Sequence, residues 1–215
     1  MTLKELIELY RAQSRDDDYQ KQFCDDALLT QYANEAQMEA CRRGQLLVDT
    51  VRVQVAANQE QCKLPAHAIW ITRAFVNRQP VFVLSVQDMD AMHPGWQFDP
   101  PNIHPTHLVA GVTTAALHLW PCPNSPVELL LTFQALPKKP LCHDGDVPEI
   151  RPEAHAGLVD WMLYRAYSRE DNDLYNDAKA ILALRRFEAE FGSKASVRNE
   201  EWVRSGSGMM PGPIA

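Results

Sequence analysis

Residues 26–37 read DALLTQYANEAQ, a pattern that predicts an amphipathic helix in the first quarter of the chain. Its apolar side chains recur at the three- and four-residue spacing of one helix face, namely Leu28 or Leu29, Tyr32, Ala33, Ala36 and Ala40. Asp25 or Asp26 can cap the first turn, and Gly44 is typical of a helix end. The stretch therefore predicts a helix that buries one face and is delimited by its own caps.

Further helices are predicted before this one and near the other end of the chain. Residues 2–5, Thr-Leu-Lys-Glu, fit a capping box, and a stripe of apolar residues follows them. Beyond Pro152, the apolar residues between 158 and 166 predict another helix. A longer one is expected from about Asp173 to a stop at Gly192. Both flanks of the chain are therefore predicted to be helical.

The distribution of proline and charge divides the chain into a middle and two flanks. Residues 1–50 contain no proline, whereas residues 51–147 contain 11 of the 15 prolines and only 13 of the 49 charged residues. Because proline removes a backbone donor and breaks helices, the middle should consist of strands and loops. We expect an α+β fold: a helical bundle from residues 1–50 and 148–200, an inserted small antiparallel β-domain from residues 51–147, and a flexible C-terminal arm from residues 201–215.

Strands are predicted in the middle region from alternating or β-rich apolar runs. Residues 51–55 alternate valine with polar side chains, which indicates a half-buried strand. Residues 69–76 and 81–86 predict one hairpin. Residues 115–120 and 127–135 predict a second. Between the two hairpins, the four prolines from 93 to 105 predict a long surface loop.

Composition excludes some classes of protein and disfavours others. The chain has 215 residues, and 21 Lys and Arg against 28 Asp and Glu give a net charge of −7, which disfavours tight nucleic-acid binding by the whole surface. No apolar run approaches the roughly 20 residues of a membrane-spanning helix, and the N-terminus does not resemble a secretion signal. Five widely spaced cysteines without a C-x-x-C pair favour a reduced, intracellular origin over a zinc ribbon or disulfide framework.

Two short motifs offer possible metal ligands. His104 and His107 form H-x-x-H around Pro105, and residues 143–146 form H-D-G-D. The first lies in the predicted loop, where helical spacing cannot align the rings, and the second has the composition of an ordinary turn. Nucleophile and phosphate-binding motifs are absent from the sequence. We therefore expect no catalytic residues, no cofactor and no metal, although a metal-dependent hydrolase or carbohydrate-binding module that uses the His-rich loop remains an alternative.

Two of the five tryptophans are candidates for contact with a partner. Trp96 lies in a Pro-Gly-Trp loop, and Trp202 lies just before the C-terminal arm. Trp70, Trp120 and Trp161 fall in predicted strands or helices and are expected in the core. Tryptophan is enriched at protein interfaces because it supplies a large apolar surface with one polar group.

The order of these pieces resembles the head-to-tail adaptor, or connector, proteins of tailed bacteriophages, chiefly short-tailed ones. Residues 26–37 are similar to the second helix of that family, with its aspartate, leucine pair, aromatic residue and Asn-Glu-Ala. Residues 94–96 and 119–123 resemble its P-x-W loop and its turn of a hydrophobic residue followed by P-x-P. Residues 158–167 resemble the helix after its sheet. The motifs are packing motifs, and they cover most of residues 1–200.

The resemblance implies a structural virion protein. Such a protein forms a ring, a dodecamer, beneath the portal vertex, where it contacts the portal protein on one side and the tail or nozzle protein on the other. It would be made in the host cytoplasm and reside in the neck of the virion, with genomic DNA passing through unbound. The residues proposed to contact the portal are Trp96, Trp202, Val203, Met209, Met210 and Ile214. A different tail or baseplate role is a second alternative.

Overall fold

The computed structural model describes residues 1–16, 23–113, 115–170 and 174–193. Over these residues the fold is mixed α+β, with five α-helices and a seven-stranded sheet. In chain order the elements are α1 (Leu3–Ser14), α2 (Asp26–Gly44), β1 (Val48–Val55), β2 (Gln61–Lys63), β3 (Ala68–Val76), β4 (Gln79–Ser85), α3 (Val86–Met92), β5 (His107–Thr113), β6 (Ala116–Trp120), β7 (Val127–Ala135), α4 (Leu158–Tyr167) and α5 (Asp177–Phe191).

These elements fall into two compact units. The helical unit comprises Met1–Leu47 and the described residues from Leu136 onwards. The β-unit comprises Val48–Ala135. Each unit has its own set of packed elements.

The helix ends follow local side-chain chemistry. Thr2 and Glu5 form the expected capping box, in which each side chain accepts a hydrogen bond from the backbone N–H of the other. Asp25, rather than Asp26, caps α2 by accepting from the N–H of Leu28 at 2.7 Å. The left-handed residue that ends α2 is Gln45, one position after the predicted glycine. These helices were therefore predictable to within a residue or two at most ends.

The core of the helical unit is apolar and tightly covered. Its largest fully buried side chains include Tyr10, Phe187, Leu6, Leu29 and Leu158. The Phe187 ring lies 5.1 Å from that of Trp161 and 4.7 Å from that of Phe191. Helix α4 packs against α1, α2 and α5, so its burial joins the two halves of this unit. Cys24 and Cys41 are also buried in this core.

A buried arginine of α1 forms hydrogen bonds to the start of α2. Arg11 donates to the carbonyl oxygens of Asp16 and Cys24 at 3.0 and 3.2 Å, and to Asp26 Oδ1 at 2.6 Å. The Asp16 carboxylate in turn accepts the backbone N–H groups of Phe23 and Cys24. Because both Arg11 and Asp16 are buried, their charges are compensated by one another and by these hydrogen bonds.

The strand order of the sheet is β1-β7-β3-β4-β5-β6-β2. Strand β7 lies between β1 and β3, and alternate residues of β7, from Val127 to Ala135, are buried. The predicted hairpin of β3 and β4 is confirmed, with its turn at Asn77 and Arg78. The predicted hairpin of residues 115–120 with 127–135 is wrong, because β6 pairs with β5 and β2 whereas β7 pairs with β1 and β3.

The prediction of a wholly antiparallel sheet is also wrong at one place. Strands β4 and β5 pair in parallel, with Phe82 opposite His107. Parallel neighbours need a crossover connection, and here it is built from α3 and the proline-rich segment after it. Ser85 caps α3 by accepting from the N–H of Asp88. The Ser-x-x-Asp pattern was a readable start signal for this missed helix.

Within the described residues, none of the helices has the length and apolar character needed to cross a bilayer.

Candidate functional site

Four aromatic rings lie side by side in the β-unit. Phe82 contacts His107 with ring centroids 5.6 Å apart, and the Trp120 ring lies 5.2 Å from both His107 and His93. We call Phe82, His107, Trp120 and His93 the aromatic row. The Phe82 side chain is 69% exposed. The row therefore presents aromatic surface to solvent.

Strand register explains how residues distant in sequence form this row. The parallel pairing of β4 with β5 places Phe82 opposite His107, and the antiparallel pairing of β5 with β6 places His107 opposite Trp120. Opposed residues on neighbouring strands lie close enough for their side chains to touch. His93 comes from the end of α3 and completes the row.

Asp99 holds two members of the row with one oxygen. Its Oδ2 accepts a hydrogen bond from the indole Nε1 of Trp120 at 2.9 Å and another from Nε2 of His93 at 2.8 Å. The backbone N–H of His93 also donates to the carbonyl of Met89, at the end of α3. These contacts fix the proline-rich segment onto the sheet, so the predicted long loop is anchored at this point.

A cavity of about 170 Å³ adjoins the aromatic row. Its wall contains two indoles, two carboxylates, an imidazole and a thiol, from Trp96, Trp120, Glu60, Asp99, His118 and Cys122. Lysine and arginine are absent from its lining among the described residues. The cavity therefore combines aromatic surface with negative charge.

Burial favours the neutral forms of two other titratable groups in the cavity, His118 and Cys122. Burial lowers the pKa of His118, and the nearby Glu60 carboxylate only partly opposes this shift. Burial raises the pKa of Cys122, and Glu60 raises it further. The Nε2 atom of His118 has no hydrogen-bond partner among the described residues. Glu60 and Asp99 are the two acidic residues of the cavity lining.

Trp96 is covered rather than presented to solvent. It lies in a 3₁₀ turn, Trp96–Phe98, and is 4% exposed. Its indole donates to Asp90 Oδ1 at 2.8 Å and meets the His118 ring edge-on. In the isolated chain its role is packing, so its contact with a partner stays a prediction. Its neighbour Phe98 is 89% exposed and was not singled out from the sequence.

The remaining partner-contact candidates, Trp202, Val203, Met209, Met210 and Ile214, lie outside the described residues. Among the tryptophans expected in the core, Trp161 is buried, whereas Trp70 and Trp120 are half-buried. The tryptophan that the sequence pattern assigned to a loop is thus more deeply buried than one assigned to a strand.

The two histidine motifs have separate structural roles. His107 belongs to the aromatic row, whereas His104 is exposed. Residues 143–146 form a turn, in which the Asp146 carboxylate accepts the backbone N–H groups of Cys142 and His143 at 2.7 Å each. These hydrogen bonds lower the pKa of Asp146. Within the described part of the chain, we find no group of three or more His, Cys, Asp or Glu residues placed to hold a metal ion.

Glu60, Asp99 and His118 were not identified from the sequence. Asp99 lies three residues after Trp96 of the Pro-Gly-Trp motif, and this closeness in sequence was only a weak signal that Asp99 belongs to the site. The contact with Trp120 depends on a parallel strand pair that hydrophobic patterning does not encode.

Comparison with known families shows to which family the chain belongs. The family model of the SU10 adaptor protein matches residues 1–210, and the chain therefore belongs to this family. The predicted relationship to phage head-to-tail adaptors is confirmed. No curated protein matches the chain.

Proposed function

We propose that this member of the SU10 adaptor protein family forms a ring of twelve copies beneath the portal vertex of a phage. The ring would join the capsid to the tail or nozzle protein and line the channel through which DNA leaves. The observation that carries this proposal is the family match over residues 1–210. In this arrangement the helical unit forms a bundle, and the β-unit is the domain inserted into it.

The charge of the chain supports a role beside moving DNA. A net charge of −7 on each copy gives a ring a strong excess of negative charge. Such a wall repels phosphates and avoids the counterion release that would make DNA bind to it. DNA could then pass through the ring without being held.

The C-terminal arm is our candidate for the portal contact. Its Gly, Ser and Pro content cannot form a packed core, yet it carries five apolar side chains, those of Trp202, Val203, Met209, Met210 and Ile214. Segments of this composition commonly become ordered when they bind a partner. Tryptophan and methionine suit such binding, because one fills a pocket and the other adapts to an irregular groove.

The proposed role is structural, not enzymatic. Replacing His104, His107, His143 or Asp144 by alanine should therefore leave particle assembly nearly intact. A hydrolase or carbohydrate-binding module would be favoured instead if elemental analysis of the purified protein found stoichiometric zinc or calcium. Purification with tail components but never with portal protein would favour a tail or baseplate role.

Ring formation can be measured directly. Mass photometry and electron cryo-microscopy of the full chain, alone and with purified portal rings, should reveal a cyclic assembly in at least one of the two samples. A protein that stays monomeric in both samples would contradict the proposal.

A further inference from the structure

We propose that the cavity beside the aromatic row is a binding site for the guanidinium group of an arginine side chain that a protein partner supplies. The site lies wholly in the β-unit and is separate from the C-terminal arm. It therefore does not depend on the proposed portal contact of that arm.

The size of the cavity suits one side-chain end. Its volume of about 170 Å³ is below the roughly 300–1,000 Å³ of pockets that hold whole small-molecule ligands. The end of one long side chain matches the available space.

The lining has the chemistry that recognises a planar cation. The indoles of Trp96 and Trp120 border the cavity, and tryptophan attracts cations to its ring face more strongly than other aromatic residues do. Trp120 is also held in place by its hydrogen bond to Asp99. Guanidinium stacks on aromatic faces and is less strongly hydrated than ammonium, so arginine suits the site better than lysine.

Glu60 supplies a carboxylate that has no ion-pair partner among the described residues. Asp99, by contrast, already accepts hydrogen bonds from Trp120 and His93. A carboxylate can accept two parallel hydrogen bonds from guanidinium, a strong and directional arrangement. Glu60 is therefore the anion expected to bind the arginine.

His118 borders the cavity and has one buried polar atom, Nε2, without a hydrogen-bond partner among the described residues. The residue is 9% exposed. An unsatisfied buried polar atom costs free energy, so native structures seldom retain one without a reason. A neutral imidazole does not repel an entering cation, whereas a lysine or arginine at this position would.

The binding chemistry can be tested on the full-length chain by NMR. N-acetyl-arginine amide is titrated while the indole Nε1–H signals of Trp96 and Trp120 are followed, after assignment with Trp96→Phe and Trp120→Phe. The signal of Trp120 should shift in a saturable manner, and the neutral citrulline analogue should leave it unchanged. Equal shifts with both compounds would overturn the proposal.

Variants of two glutamates make this test specific. Glu60→Gln should weaken binding of the arginine compound about tenfold, because a charge-assisted hydrogen bond is replaced by a neutral one. Glu128→Gln removes the same charge from a half-buried position of β7 that does not line the cavity, and it should have no effect. Unchanged affinity in Glu60→Gln would contradict the assignment of this residue.

The source of the arginine is tested by assembly. If a second copy of the chain supplies it, Glu60→Gln should reduce self-assembly relative to Glu128→Gln. If another virion protein supplies it, self-assembly should be normal and only association with that protein should fall. A Glu60→Gln protein that matches the control in both assays would overturn the partner site, while leaving the family assignment and the portal contact of the arm intact.

Discussion

The helical unit and the β-unit use different kinds of interaction. In the helical unit, caps end the helices and a continuous apolar core lies between them. In the β-unit, the aromatic row and its cavity leave tryptophan, histidine and carboxylate groups partly accessible. The first arrangement is typical of a scaffold, and the second is typical of a surface that recognises a partner. An adaptor requires both properties, since it must stay rigid and bind its neighbours.

The largest difference in stability is expected when one phenylalanine of each unit is replaced by alanine. Phe187→Ala should destabilise the protein by about 4 kcal/mol, because it removes a fully buried ring and leaves a cavity beside Trp161 and Phe191. Phe98→Ala, in the β-unit, should change stability by less than about 0.5 kcal/mol, because that ring is 89% exposed. Chemical denaturation followed by circular dichroism measures both. Similar losses for the two variants would contradict the assignment of scaffold and surface.

The next largest effect is expected at the buried arginine of the helical unit. Arg11→Met should cost about 3 kcal/mol, because the buried carboxylate of Asp16 loses its positive partner. Arg11→Lys keeps the charge but not the several hydrogen bonds, so its stability should lie between those of Arg11→Met and the parent chain. Urea denaturation measures the free energy of unfolding of the parent chain and of both variants. A methionine variant as stable as the parent would show that this contact does not fasten α1 to α2.

A smaller effect is expected where Asp99 holds the aromatic row. Asp99→Asn should cost about 1 kcal/mol, because hydrogen bonds from His93 and Trp120 lose their charged acceptor in a partly exposed site. The Trp120 indole N–H signal should also move in NMR spectra. Glu128→Gln is the control for charge. An unchanged Trp120 signal would show that Asp99 does not position this ring.

The smallest effect concerns the turn of residues 143–146 and its response to pH. Backbone N–H groups hold the pKa of Asp146 below its ordinary value of 3.8. A lowered folded-state pKa stabilises the fold above the unfolded-state pKa, and this contribution is lost as the pH falls through the folded-state value. Asp146→Asn should therefore be slightly less stable than the parent at neutral pH, and the difference should shrink below about pH 4. Denaturation at several pH values checks this, and a difference that grows on acidification would contradict it.

Local signals made the helical unit more predictable than the β-unit. The capping box at Thr2, the cap at Asp25 and the stop at Gly192 each depend on residues close in sequence. Five of the seven strands were predicted, and β7 has the predicted bounds, whereas β2 and β5 were missed. The pairing of the strands was not predicted correctly. The partner of a strand depends on the crossover through α3, which hydrophobic alternation does not specify.

The candidate site was less predictable for the same reason. Trp96 and Trp120 were both singled out from the sequence. Trp120 was expected to be the more buried of the two, whereas Trp96 is buried and Trp120 is half-buried. Residue type and loop context do not reveal which indole lies beneath its neighbours. Glu60 comes from the segment before β2 and His118 from β6, and only the pairing of these strands brings them to one cavity.

The most direct test of the adaptor function compares the full chain with a chain that lacks residues 203–215 for binding to purified portal rings. Co-sedimentation measures attachment, and thermal melting checks that the truncated chain folds. We expect the full chain to attach, and we expect the truncated chain to melt at the same temperature but to attach much more weakly. Equal attachment by both chains would contradict the role of the arm, and a folded full chain that ignores portal rings would contradict the adaptor function itself.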